Sequence, residues 1–107
     1  MSQGTGKVDN PDAGQQRLDK WLWFARVARA RSAAADLAMR GRVRVNGQRA
    51  TQAARAVRIG DVLTINAGGR ILVLKVAGLG EKREAYPVAR LLYEDLTPPE
   101  RGSFGGE

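Results

Sequence analysis

Between Arg17 and Arg58 the chain carries eleven basic residues, Arg17, Lys20, Arg26, Arg29, Arg31, Arg40, Arg42, Arg44, Arg49, Arg55 and Arg58, against two acids, Asp19 and Asp36. That stretch holds a surplus of nine positive charges, while the rest of the 107 residues is slightly acidic and the whole stands at +7. Basic side chains at this density attract a polyanion, and nucleic acid is the commonest one for a basic domain. Ten of the eleven are arginines. A guanidinium grips phosphate through two parallel N–H bonds and stacks on bases, where lysine acts mainly as a point charge, so the bias points to structured contact. GC-rich coding, which the Ala and Gly content also suggests, would favour arginine over lysine but would not gather the charge into one half.

The same composition excludes much other chemistry. With no histidine and no cysteine, the commonest general base, thiol nucleophiles, thiolate metal sites and disulfides are all missing, so neither a metal nor a cofactor is expected. The acids Asp19, Asp36, Asp61 and Asp95 are scattered, at a helix start, on a helix surface and in a turn, where structural roles suit them better than catalysis. Gly78-Leu79-Gly80 lacks the Gly-Lys-Ser/Thr spacing of a phosphate loop. No run of about 18 apolar residues is present to span a bilayer, and Met1 to Gly14 lacks the apolar centre of a signal peptide. The expectation is a cytoplasmic, monomeric, non-catalytic protein without membrane contact.

The elements that must carry the arginines follow from periodicity. Residues 1–15 are polar and rich in Gly, Asn, Asp and Pro, too poor in apolar groups to offset ordering entropy, and read as a disordered tail. From Arg17, Leu18, Trp21, Leu22 and Ala25 recur at the spacing of an amphipathic helix, with Lys20, Trp23 and Val27 on the other side. Trp23 can stack on a base or pack under the following sheet, and packing is the commoner use of such a residue. Ser32 reads as the N-cap of a second helix over Ala33 to Arg40, whose Ala33, Ala34, Leu37 and Ala38 form a small-residue face, with Gly41 as its left-handed stop. In RVRVNGQRA, Val43 and Val45 face one way and Arg42 and Arg44 the other, and Asn46-Gly47 is the strongest short signal for a hairpin turn. Thr51 to Arg58 reads as irregular, Ile59-Gly60-Asp61 as a turn, Val62–Ile65 and Arg70–Val76 as strands, and Gly78 to Glu84 as a charged loop. Pro87 opens a last short helix, Val88–Tyr93. Residues 97–107 return to turn formers and read as a second tail. The fold class is therefore α+β over residues 16–96: two packed N-terminal helices, a small, mostly antiparallel sheet and a short C-terminal helix.

The string RLDKWLWFAR, followed by RARS, by GRVRVNGQ and by the Ile59-Gly60-Asp61 turn, resembles the RNA-binding domain named after ribosomal protein S4, and the helix pair with its hairpin resembles that domain's alpha-L motif. Leu18-Asp19-Lys20-Trp21-Leu22-Trp23 and Leu91-Leu92-Tyr93-Glu94 are further similar to small bacterial ribosome-associated heat-shock proteins of the Hsp15 type. The resemblance implies binding of structured RNA through the start of the first helix, the second helix and the hairpin. It places the family's basic positions on Arg17, Lys20, Arg31, Arg40, Arg42 and Arg49, with Ser32 at the helix junction and Asn46 in the turn; the local pattern adds Arg29 and Arg44. For the heat-shock subfamily it implies ribosomal RNA of the large subunit, during stress or recycling of stalled subunits. Such relatives commonly continue into a basic, helical extension, from which this chain departs by ending soon after Pro98-Pro99.

Duplex RNA offers phosphates, 2′-hydroxyls and shape rather than readable base edges, and an arginine face on a rigid helix pair suits that task. Two other readings compete: an accessory RNA-binding module working with a separate RNA-modifying enzyme, and a protein adaptor whose basic face takes an acidic partner. A helix-turn-helix DNA reader fits less well, because the Ala-rich second helix has few polar side chains for reading bases.

Overall fold

Leu18, Trp21, Leu22 and Ala25 are all buried, as their helical spacing predicts, and they lie on or just after helix α1 (Leu18–Phe24). The computed structural model describes residues 14–80 and 85–98. Of the tails expected at 1–15 and 97–107, residues 1–13 and 99–107 lie outside the described residues, as does the part of the charged loop at 81–84.

No side chain caps the start of α1. Its first free N–H groups are taken by the later chain instead: Leu18 donates to the Arg55 carbonyl at 2.8 Å and Asp19 to that of Ala53 at 3.1 Å, which answers the need that a capping side chain would otherwise meet. The same segment then forms β4 (Ala56–Arg58), antiparallel to β1 (Gln15–Arg17), with Gln16 opposite Val57. The irregular stretch expected over 51–58 thus ends in a strand, which pairs with Gln15–Arg17.

Helix α1 stops in a left-handed turn at Arg26, with φ 63°. The Arg26 N–H donates to the Trp23 carbonyl and that of Val27 to Leu22, the paired bonds of a Schellman stop with arginine where glycine is usual. Helix α2 (Arg31–Met39) ends in the same way: Gly41 has φ 72°, its N–H reaches Ala38 and that of Arg42 reaches Leu37. This is the stop expected at Gly41. Ala34 and Ala38 of α2 are fully buried and let it lie close to α1. Ser32 is not the N-cap. The helix starts two residues earlier, Ala30 holds the cap position without a side-chain bond, and Ser32 is exposed within the first turn.

The main sheet is wholly antiparallel, in the order β3 (Gln48–Arg49), β2 (Val43–Val45), β5 (Val62–Ala67), β6 (Arg70–Val76), β7 (Tyr93–Asp95). Strand alternation sends Val43, Val45, Leu63, Ile65, Leu74 and Val76 into a core shared with Leu18, Trp21 and Leu22. Opposite parity leaves Arg44, Thr64 and Asn66 on the outer face. Asn46 (φ 51°) and Gly47 (φ 85°) form the turn that their pairing predicts.

The closing helix expected over 88–93 is shorter and earlier. Helix α3 covers Tyr86–Ala89, a 3-10 turn covers Arg90–Leu92, and Tyr93 already belongs to β7. Tyr93 pairs with Val76 and sets its ring edge-on to Trp21 at 6.4 Å, so sheet pairing takes it from the helix. Thr97 continues the edge, accepting the Val73 N–H at 3.0 Å, one residue past the expected boundary.

Candidate nucleic-acid interface

The first basic group is organised by one carboxylate. Asp19, in the first turn of α1, is only 3% exposed, and Arg17 donates to its two oxygens from Nε at 3.0 Å and Nη2 at 3.1 Å. Arg31, the first residue of α2, brings its Nε to 3.5 Å of the same carboxylate. Both arginine side chains are still about half exposed. Burial pushes the Asp19 carboxyl upward, but the Arg17 hydrogen bonds, the charges of Arg31 and Arg17 and the Lys20 N–H outweigh it and hold the group below its ordinary value. The hydrogen bond and charge of Asp19 in turn raise the Arg17 guanidinium. Asp19 is thus an ionised clamp that presents two arginines from two helices side by side. Lys20 lines a shallow groove with Arg17, Gln15 and Gln16, and its Nζ lies 5.8 Å from the centre of the Phe24 ring.

A second basic group lies on the outer face of the sheet. Arg40, Gly41, Arg42, Arg44 and Arg49 surround a cleft of about 370 Å³ together with Thr64, Asn66 and Ile71. Arg44 and Arg49 stand directly opposite each other across β2 and β3, a like-charge pairing that disfavours the sheet by a few tenths of a kcal/mol or more. Arg40 is bonded to Asp36 at 3.0 Å. Among the described residues no acid pairs with Arg42, Arg44 or Arg49. The positive field in this cleft is therefore left for a ligand to neutralise.

The sequence-derived candidates thus divide. Arg17, Lys20 and Arg31 gather at the helix starts, while Arg40, Arg42, Arg44 and Arg49 gather on the sheet. Arg29 is exposed in the link between the helices, and Ser32 is exposed beside Arg31. Asn46 is spent on the turn: its Oδ1 accepts the Val62 N–H at 2.9 Å and its Nδ2 donates to Asp61 at 3.1 Å, while Asp61 also accepts the Arg58 N–H. Asp61 has the structural role expected of it. Trp23 is half-buried, stacked on Phe24 at 5.4 Å and packed on the core. Sequence reasoning passed over Thr64, Asn66 and Ile71 at the cleft and Arg26 at its left-handed turn. Outward parity on β5 marks the first two, once the inner face is known.

A family model described as the S4 domain matches residues 16–63. The Aeromonas salmonicida heat shock protein 15 homolog is 41% identical over 81 residues, covering 76% of this chain and 61% of that protein. The RQC P-site tRNA stabilizing factor of Listeria innocua is 35% identical over 92 residues, covering 83% of this chain and 99% of that protein. The trimeric structure of Vibrio cholerae heat shock protein 15 matches with a TM-score of 0.71 at 36% identity, over 76% of this chain and 81% of that one. This chain belongs to the S4-domain family of heat shock protein 15. It spans about three fifths of the length of the curated heat shock protein 15 relatives it matches. No helix among the described residues is long and apolar enough to cross a membrane.

Proposed function

We propose that this S4-family chain is a non-catalytic cytoplasmic protein that binds structured ribosomal RNA on the large subunit, during stress or the recycling of stalled subunits. The observation that carries the reading is the cleft of Arg40, Arg42, Arg44 and Arg49, in which two arginines face each other across a hairpin without an acid to offset them. Such a pair works against the stability of the hairpin, and a bound anion supplies the charge that offsets it. The Asp19 clamp adds Arg17 and Arg31 on the helix side, and Lys20, Arg29 and Ser32 flank it. Relatives named heat shock protein 15 and RQC P-site tRNA stabilizing factor support the ribosomal setting.

Sucrose-gradient fractionation of lysate, before and after translational stress, tests the reading. Cosedimentation with the large subunit is expected, and a position only at the top of the gradient under both conditions overturns it. Light scattering of the purified protein measures the expected monomer against the trimer seen for the Vibrio cholerae relative.

A further inference from the structure

We propose that the cleft on the outer face of the sheet takes a single unpaired nucleotide, with the Asn66 amide reading its base, Ile71 packing on it and Arg42, Arg44 and Arg49 holding the flanking phosphates. This rests on the RNA-binding reading and goes beyond it, because a surface that only met phosphates would need no amide and no apolar wall.

The chemistry of the lining carries the inference. Asn66 lies outward on β5 and opposite Ile71 on β6. Its backbone N–H is used, donating to the Arg42 carbonyl at 2.8 Å. Its side chain is not: Oδ1 is screened from solvent and has no hydrogen-bond partner. An acceptor without a donor costs free energy, and the last torsion of a carboxamide is soft, so a rotation of the Asn66 amide turns Oδ1 toward the cleft, where a donor on a ligand meets it. A carboxamide carries a donor beside an acceptor, as does the Watson–Crick edge of an unstacked base, so the match is to a base rather than to phosphate. Next to it, Ile71 is 47% exposed, an apolar surface among four arginines. Phosphate finds no use for that surface, whereas the face of a base does. The cleft, at about 370 Å³, has the capacity of one nucleotide rather than of a duplex.

Three RNA hairpins of equal stem length separate the possibilities: one fully paired, one with a single-nucleotide bulge, and one with the same bulge made abasic. Anisotropy titrations of the full chain are expected to give about tenfold tighter binding to the bulged stem than to the other two. Asn66→Leu, which keeps the side-chain size, and Ile71→Ser are each expected to remove that preference while leaving affinity for the paired stem unchanged, which also shows that the variants fold. Equal binding of all three stems by the unaltered protein, or a preference that survives both substitutions, overturns the nucleotide site and leaves RNA binding standing. Absence of binding to every stem overturns the RNA-binding reading as well.

Discussion

Asp19 and Arg31 meet at 3.5 Å across the junction of the two helices, with Asp19 3% exposed and the Arg31 side chain 42% exposed. Arg31 lies in the first helical turn, with Ala30 at the cap position and Ser32 beyond it.

Substituting Asp19→Asn removes the charge that Arg17 and Arg31 share. A count of charges predicts tighter RNA binding, since the protein becomes more positive; the geometry predicts the reverse, because both guanidinium groups lose their anchor. We expect a loss of about 1–3 kcal/mol in urea unfolding and a several-fold weaker affinity for a ribosomal RNA hairpin by anisotropy. Tighter binding would show that the arginines act as unplaced charge.

The same carboxylate sets a pH dependence. Asp19 is held below its ordinary value of 3.8 in the folded chain, so its contribution is present above that value and is lost as pH falls through the lower, folded one. Asp95, lowered by its hydrogen bonds from Thr97, acts with the same sign. Stability followed by circular dichroism should be level from pH 7 to about 5 and fall below about 4. The difference between the parent and Asp19→Asn should shrink over that fall.

Local backbone demands were legible in the sequence and distant partners were not. Gly41 and Asn46-Gly47 announce themselves because a left-handed φ restricts residue type within a few positions. Leu18, Trp21 and Leu22 do so through period alone. The pairing of Gln15–Arg17 with Ala56–Arg58 left no such mark: each strand is three residues long, one is QQR, and some forty residues separate them. Ser32 has the right type for a cap, but capping preference is local and does not report that the helix already begins at Arg31. The cleft that Arg42, Arg44 and Arg49 share left no mark either, since charge density along a chain does not report which residues the sheet brings together until the core is known. Asn66 carries no signal of its own, as only the packed sheet leaves its Oδ1 without a partner.

Arg26 holds φ 63° at the stop of α1, where a residue with a Cβ is strained by about 1 kcal/mol and glycine is not. Arg26→Gly relieves that strain but frees the unfolded chain and removes the side chain's own contacts, so stability in chemical unfolding is expected to change by no more than about 1 kcal/mol. Strain kept at an exposed position points to use, so the same variant should bind RNA about two- to fivefold more weakly. Unchanged affinity would mean that the strained turn serves no RNA contact.

Gly41 meets two demands at once. Its φ is 72°, and a Cβ there would stand 2.9 Å from Cδ of Arg49. Gly41→Ala should cost about 1–2 kcal/mol from the backbone alone. The flexible Arg49 side chain can move aside, and its movement opens the cleft. Affinity should drop further than in Gly60→Ala, a glycine whose φ of 99° carries comparable strain but whose Cβ would meet nothing.

Arg44 offers the sharpest separation of stability from binding. It faces Arg49 directly across the hairpin, so Arg44→Ala relieves a like-charge contact and should leave stability unchanged or raise it by up to about 0.5 kcal/mol. Arg42→Ala, with an exposed side chain and no ion pair, should also unfold like the parent. Each nonetheless removes one phosphate contact, so the slope of log K against log salt should fall by roughly 0.7–0.9 per substitution. Arg31→Ala should lower the slope by a similar amount and also cost stability, since it strips a partner from the buried Asp19. Titrations at three or four salt concentrations distinguish these outcomes. Slopes that do not change in Arg42→Ala and Arg44→Ala would remove the outer sheet face from the interface and leave the helix starts as the only RNA-binding surface.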